Sequence, residues 1–241
     1  MKKSAFLLPA IGIILFSILI GCKKTTTPSP TTPPTNTGGG VTGGSTDGST
    51  TNKLTLLVGT NGKDALVNSY SPTSNFGSYA YIASMAWTNS GSPMTHRILL
   101  DFDLTSIPAG ATITKAKLKL YADTTTVYYG SAGLMPGHST LTGANDATLR
   151  RVTSTWSESA VTWNNSPSVD DINKVTIPAS TIRSQAYEID VLALVKDEHL
   201  NPTLYNGFMI TLNDETYYRS LIFYSGESSY TTLQPKLEIE Y

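Results

Sequence analysis

The chain has 241 residues, of which 17 are Lys or Arg and 18 are Asp or Glu, so its formal net charge is −1. A balance so near neutral does not suggest nucleic-acid binding, and we expect no nucleic-acid partner. The single cysteine excludes an internal disulfide and a zinc site built from several thiolates.

Residues 1–21 have the organisation of a bacterial lipoprotein signal peptide. Two lysines follow Met1, an apolar run extends from Ala5 to Ile20, and Leu19-Ile20-Gly21-Cys22 resembles a lipobox, where signal peptidase cuts before a lipid-modified cysteine. The alternative, a transmembrane helix, needs ~20 apolar residues, and this run has roughly 16. We therefore expect palmitate and related acyl chains on Cys22, which would anchor the protein in the outer membrane and expose it at the cell surface.

The next predicted segment, residues 22–52, is a linker rich in Thr, Pro, Gly and Ser. Its one large apolar residue is Val41, so the segment cannot bury enough surface to offset its chain entropy, and we expect it to be disordered. Residues 53–241 remain, which is enough chain for one folded domain with a substantial core.

The folded part has the composition of an all-β protein, because short runs of Val, Ile, Leu, Tyr and Thr alternate with Gly, Pro, Asn and Ser clusters. In ATITKAKLKLY, Ala116, Leu118 and Leu120 alternate with lysines, as a strand with one buried face requires. We predict a jelly-roll-like antiparallel β-sandwich. Its strands are predicted at residues 54–58, 65–67, 79–86, 97–103, 112–122, 147–153, 174–177, 185–189, 207–212, 220–224 and 236–241.

One short helix is predicted near residue 190. Asp190 can cap its first turn, the apolar residues from Val191 to Val195 supply a buried stripe, and Asn201-Pro202 ends it. We expect this helix to cover one end of the sandwich.

Four stretches resemble the DNRLRE domain family, which is related to the disaggregatase repeats. The longest is HRILLDFDLTSIPAGATITKAKLKLY; SPTSNFGSYAYIAS precedes it, and WSESAVTWNNSP and then YNGFMITL with IFYSGESSYTTLQPKLEIEY follow. The resemblance extends over residues 61–241 and implies a jelly-roll-like sandwich of the carbohydrate-binding-module kind, found in secreted or surface proteins. Some relatives are classed as alginate-binding modules, so the resemblance also implies a polysaccharide ligand.

A sugar site needs exposed aromatic faces together with polar or charged side chains that hydrogen-bond hydroxyls. Tyr79, Tyr81 and Trp87 share one parity along a predicted strand. We expect Trp87 to be exposed because it leads into a polar loop, and the alternative is that this stripe faces the core. Trp156 and Trp163 are expected in the core. The residues predicted to bind ligand are Tyr79, Trp87, Arg97, Lys117, Lys119, Tyr128, Tyr218 and Arg219.

The lysines of ATITKAKLKLY have two interpretations. With the arginines elsewhere, they could attract an anionic polysaccharide such as a uronate polymer. They could instead form a solvated strand face that discourages pairing with other chains.

We expect no cofactor other than a structural calcium ion, which would take carboxylate and amide oxygens from loops. The predicted ligands are Asp146, Asp170, Asp171 and Asp214.

No catalytic residue is assigned, and we predict that the protein is not an enzyme. The sequence contains no Gly-x-Ser-x-Gly nucleophile motif. Two carboxylate pairs, Asp101 with Asp103 and Glu158 with Glu227, are available for glycoside hydrolysis, although ion pairs with lysines on a neighbouring strand also explain the first.

The leading interpretation is a membrane-anchored surface lipoprotein with a non-catalytic polysaccharide-binding β-sandwich. One alternative is an adhesion or envelope-assembly lipoprotein that binds a protein partner, which a large exposed apolar patch would favour. The other is a polysaccharide lyase or hydrolase, which needs a perturbed acid–base pair in a cleft.

Overall fold

The structure, a computed structural model, describes residues 51–125 and 136–241. The predicted signal peptide, the lipid-attachment residue Cys22, nearly all of the linker and the ligand candidate Tyr128 lie outside these ranges. None of the helices within these ranges is long and apolar enough to cross a membrane.

The described residues contain twelve strands and two α-helices, besides two 3₁₀ turns of three residues each. The helices are the single turn α1 (Val58–Asn61) and the longer α2 (Leu192–Leu200). Every predicted strand overlaps an observed one, and the two-residue β6 is too short to show an alternation pattern. The strands are β1 (Lys53–Leu57), β2 (Gly62–Asn68), β3 (Tyr81–Asn89), β4 (Ser92–Phe102), β5 (Lys115–Leu120), β6 (Ser139–Thr140), β7 (Ala147–Val152), β8 (Val169–Ile177), β9 (Tyr187–Asp190), β10 (Phe208–Leu212), β11 (Arg219–Tyr224) and β12 (Lys236–Glu240).

These strands form two antiparallel sheets. The smaller sheet has the order β1-β12-β5-β9, and the larger has the order β6-β11-β3-β4-β10-β7-β8, with β2 also paired to β4. Neighbours in the sheets are distant in sequence: Leu118 of β5 lies opposite Leu237 of β12, for example. The predicted all-β sandwich is confirmed.

The main core lies between the two sheets. Leu118 and Leu237 of the smaller sheet belong to one apolar cluster with Leu100, Phe208 and Phe223 of the larger sheet. Burying a side chain of this size stabilises the fold by about 1.5–3 kcal/mol. The alternation in β5 therefore has the direction that the sequence predicts, with apolar residues inward and lysines outward.

Helix α2 also has the predicted boundaries. The Asp190 carboxylate accepts a hydrogen bond from the Leu192 N–H at 3.1 Å, which satisfies one free donor of the first turn. The helix ends at Leu200, directly before Asn201-Pro202. Leu194 and Val195 are buried in the main core, so the helix packs on the sandwich as expected.

The outward face of the larger sheet carries a second apolar cluster that loops cover. Trp156 packs there with Leu99 and Met209, and its indole N–H donates to the Asn206 carbonyl at 2.9 Å. This confirms the core position predicted for Trp156. Trp163 lies at the margin of the cluster and is half-buried, so the prediction for this residue is only partly confirmed.

Candidate functional site

Trp87 is buried, and the expectation that it is exposed for stacking is wrong. Only 3% of its surface is accessible, and it packs with Met85 and Met94 on the outward face of the larger sheet. Strand β3 continues past Trp87 and joins β4 through a tight turn at Ser90 and Gly91, both with positive φ. The polar residues after Trp87 therefore belong to a hairpin and not to an open loop.

Tyr218, another predicted ligand residue, covers this tryptophan. The two rings meet edge to face with centroids 4.7 Å apart, and Tyr218 is half-buried. Arg219, the next residue, is also buried: its guanidinium pairs with Asp214 and donates to the Thr142 carbonyl at 3.3 Å. Both side chains are engaged in the packing of the loop that precedes β11.

Arg97 is the predicted ligand residue whose charge is best placed beside an aromatic ring. Its guanidinium makes two hydrogen bonds to Glu215, at 2.9 and 3.1 Å, and lies 4.7 Å from the centre of the Trp163 ring. Planar guanidinium–carboxylate pairs of this kind hold their geometry well.

The outer face of the four-stranded sheet, here the charged face, carries the predicted lysines. Lys117 pairs with Asp190 at 3.0 Å, and Lys119 pairs with Glu238 at 2.9 Å. Glu240 lies between Lys53 and Lys115 and contacts both. Because the strands alternate positive and negative side chains, this arrangement favours the solvated-face alternative over a polyanion site.

The four aspartates predicted to hold calcium already have protein partners. Asp170 pairs with Arg151 and Asp214 with Arg219. Asp171 contacts both Arg150, at 2.7 Å, and Lys174, at 3.0 Å, and Asp146 accepts a hydrogen bond from the Asn213 amide at 2.6 Å. The structure does not bring these four residues together.

Three other carboxylates do converge, and we call them the carboxylate cluster: Asp64, Glu158 and Glu227. One oxygen from each lies within 4.8 Å of the others. In the sequence, Glu158 and Glu227 are available as an acid pair, but nothing joins Asp64 to them, because it looks like an ordinary residue at the start of a strand.

The cluster joins three segments of the chain. The Asp64 N–H donates to a Glu158 carboxylate oxygen at 2.8 Å, and the Gly226 N–H donates to the Asp64 carboxylate at 2.7 Å. Gly77 also touches this region, because a Cβ on it would lie 2.1 Å from the Glu158 carbonyl oxygen. Only a glycine fits such a close approach of two backbones.

The cluster has an unfavourable electrostatic environment. Burial raises the pKa of Asp64 well above its ordinary value, and the charge of Glu227 raises it further. The pKa of Glu227 is also raised, first by burial and then by the charge of Glu158. Like charges in a partly dry site oppose each other's ionisation, and a cation would relieve this.

Aromatic rings form a row across the ends of β3 and β11 and the loops beside them, and we call Tyr79, Tyr81, Tyr224 and Tyr230 the tyrosine row. The ring centres of Tyr79 and Tyr81 are 5.5 Å apart, and those of Tyr224 and Tyr230 are 5.3 Å apart. Tyr81 and Tyr224 lie directly opposite each other on neighbouring strands, so their side chains share a face of the sheet.

The two ends of the row are open to solvent. Tyr79 is 40% exposed and Tyr230 is 50% exposed. The Ser225 hydroxyl donates to the Tyr79 carbonyl at 2.6 Å, which ties the loop that carries Glu227 and Tyr230 to the loop that carries Tyr79. This arrangement can stack on sugar rings, and its aromatic platforms are held by fixed backbone.

A separate cavity of about 670 Å³ lies beside the end of α2. Asp101 and Glu198 both line it, and burial, followed by the Asp101 charge, raises the pKa of Glu198 to about 8. Lys63 pairs with Asp101 at 3.2 Å. The carboxyl partner of Asp101 is thus Glu198, from a distant helix, and not Asp103.

In a comparison with known families, residues 58–241 match the model of carbohydrate-binding module family 96. This agrees with the kind of module that the sequence resemblance implies. No curated protein matches the chain.

Proposed function

The chain belongs to carbohydrate-binding module family 96 through residues 58–241, and on that premise we propose that it is a non-catalytic protein that binds a polysaccharide. We propose the loop end of the sandwich as the binding surface. The observation that carries this choice is the tyrosine row, whose two ends, Tyr79 and Tyr230, are exposed on loops that hydrogen bonds hold together.

An extended polymer fits this surface better than a single sugar does. Tyr79 and Tyr230 lie at opposite ends of the row, with Tyr81 and Tyr224 between them, so each exposed ring would stack on a different sugar unit of one chain. Aromatic stacking contributes about 0.5–1.5 kcal/mol per ring. Two such contacts give the modest, additive affinity that suits capture of a long polymer.

The test is affinity electrophoresis of the full chain carrying Cys22→Ser, run through gels that contain neutral or uronate polysaccharides. We expect retention by at least one polymer. Tyr79→Ala and Tyr230→Ala should each weaken retention by about three- to tenfold. Tyr70→Ala is the matched control, because Tyr70 is similarly exposed, at 45%, and lies outside the tyrosine row.

Other outcomes of this experiment decide between the alternatives. Retention that Tyr79→Ala and Tyr230→Ala leave unchanged would contradict the proposed surface. No retention by any polymer would contradict the polysaccharide ligand and favour a protein partner. Loss of retention in high salt, if a uronate polymer is retained, would identify the anionic class of ligand.

The cavity beside α2 supports one competing function, hydrolysis of the bound polymer. A carboxyl group with a pKa near 8 stays protonated at neutral pH and can act as a general acid. Asp101 is hydrogen-bonded to Glu198 and so lies closer than the ~5–9.5 Å that separates the two carboxylates of a glycosidase. Each retained polysaccharide is therefore assayed for new reducing ends. Cleavage that Glu198→Gln abolishes would replace the non-catalytic proposal with this one.

We further propose that Cys22 carries the lipid and that the module is displayed on the outer membrane, as the N-terminal sequence predicts. Labelled palmitate should be incorporated into the native chain and not into Cys22→Ser. Protease added to intact cells should remove the module. Protection from protease would contradict outward display, and unlabelled native protein would contradict the anchor.

A further inference from the structure

We propose that Asp64, Glu158 and Glu227 bind a calcium ion. One loop carries both Glu227 and Tyr230, so the site lies next to the proposed polysaccharide surface, but the calcium proposal rests on the carboxylates and not on that surface. The site also differs from the four aspartates that the sequence suggested as calcium ligands.

The spacing of the carboxylate oxygens fits the size of calcium. One oxygen from each residue lies within 4.8 Å of the others. Calcium binds oxygen at about 2.3–2.6 Å, so ligands on opposite sides of the ion are separated by about 4.8 Å. Magnesium binds at about 2.0–2.1 Å in a near-ideal octahedron and usually keeps several waters, so three carboxylates from separate segments suit calcium better.

A buried oxygen points to a missing ligand. Asp64 is only 1% exposed, and its Oδ2 accepts the Gly226 N–H. Its Oδ1 is also buried and has no hydrogen-bond partner among the described residues. An unpartnered buried carboxylate oxygen is costly, and a bound cation is the group that satisfies it best.

The charge of the cluster also lacks a protein counter-ion. Within residues 51–125 and 136–241, no ion pair links Asp64, Glu158 or Glu227 to a lysine or arginine. Such uncompensated charge is unusual in a buried position. A divalent cation would offset most of it.

The surroundings hold the ligands in place and leave an entry path. The Asp64 backbone is hydrogen-bonded to Glu158, and the Gln234 amide donates to the Gly226 carbonyl at 2.6 Å, beside Glu227. Glu227 itself is exposed. Calcium can therefore enter from solvent, and water can complete its coordination on that side.

The test is isothermal titration calorimetry of the chelator-treated full chain carrying Cys22→Ser, with calcium chloride or magnesium chloride and no polysaccharide. We expect one calcium per chain, weaker binding of magnesium, and a higher Tm in calcium. Glu227→Gln should weaken calcium binding at least about tenfold while leaving the chain folded, because Glu227 is exposed. Asp64→Asn should abolish binding.

Two control variants keep the proposal open to refutation. Asp171→Asn and Glu238→Gln each remove a carboxylate that already forms an ion pair with an arginine or lysine side chain. Both variants should bind calcium as the parent does. No calcium binding by the parent would mean that Asp64 and Glu227 share a proton or bind only water, and would overturn the proposal. So would binding that Glu227→Gln leaves intact or that Asp171→Asn abolishes. Because no polysaccharide is present, none of these results decides the proposed function.

Discussion

The charged face of the four-stranded sheet and the loop end of the sandwich both carry clustered acidic side chains. The two regions differ in how the negative charge of these side chains is neutralised. On the charged face, Glu238 and Glu240 each contact a lysine on a neighbouring strand. At the loop end, no lysine or arginine pairs with Asp64 or Glu227 among the described residues, and their neighbours are carboxylates, the Ser225 side chain and backbone N–H groups. A charge that the fold balances has a structural explanation, and a charge that it leaves unbalanced indicates a ligand.

The largest expected loss in the free energy of unfolding comes from Gly77→Ala, which disrupts the packing of the loop end directly. The new Cβ would lie 2.1 Å from the Glu158 carbonyl oxygen and 2.9 Å from its Cγ, so the backbone must move. We expect a loss of about 3 kcal/mol in the free energy of unfolding by urea. The control is Gly110→Ala, where φ is +85° but the space is open, and the loss should be about 1 kcal/mol. Equal losses would contradict the close approach of the loops.

A smaller effect on the free energy of unfolding, which depends on pH, comes from His138. Burial keeps the ring of this histidine neutral, so it needs no partner of opposite charge. Its Nδ1 accepts the Ile222 N–H at 3.1 Å, and its Nε2 lies 2.9 Å from the Gln185 carbonyl, to which it donates. Both contacts fit the neutral ring. Burial lowers the pKa of His138 to about 4, and the hydrogen bond to Gln185 offsets part of this shift.

The sign of the pH effect follows from this lowered pKa. Between pH 6.5 and 4, His138 is protonated in the unfolded chain but stays neutral in the folded chain. Its contribution to stability is therefore complete above pH 6.5 and is lost as the pH falls. At pH 5 the loss is about 2 kcal/mol. His138→Gln should flatten the urea stability profile between these pH values, and His199→Gln, at the end of α2, is the control. An unchanged profile in His138→Gln would contradict the neutral, buried ring.

The smallest effect is expected on the charged face. Lys117→Met removes an exposed ion pair with Asp190, and we expect it to change the free energy of unfolding by less than about 1 kcal/mol. Retention by any polysaccharide that the parent binds should be unchanged in affinity electrophoresis. Reduced retention would place the ligand on the charged face and would contradict the claim that only the loop end binds a ligand.

Much of the fold could be predicted from local sequence patterns. The alternation of Leu118 and Leu120 with lysines is a property of adjacent residues, and so is the hydrogen bond that Asp190 accepts at the start of α2. Both depend on short-range geometry. The outward position of the lysines on the charged face could be predicted for the same reason.

The candidate site could be predicted only in part, because it depends on contacts between distant residues. Asp64 and Glu158 are 94 positions apart, and nothing in the neighbourhood of either indicates the other. Asp170 and Asp171 form a more conspicuous acidic pair in sequence, but the arginines of β7 that neutralise them become visible only in the sheet. The exposure of Trp87 was mispredicted because the hairpin extends β3 through the polar residues that follow it.

The central claim is that unbalanced carboxylates at the loop end bind a cation, whereas the balanced ones elsewhere do not. The most direct measurement is an anomalous difference map, recorded at a long X-ray wavelength, from crystals of the protein grown in calcium chloride. We predict a calcium peak among Asp64, Glu158 and Glu227, and no peak on the charged face or beside Asp170 and Asp171. An empty carboxylate cluster in crystals that contain calcium would contradict the account.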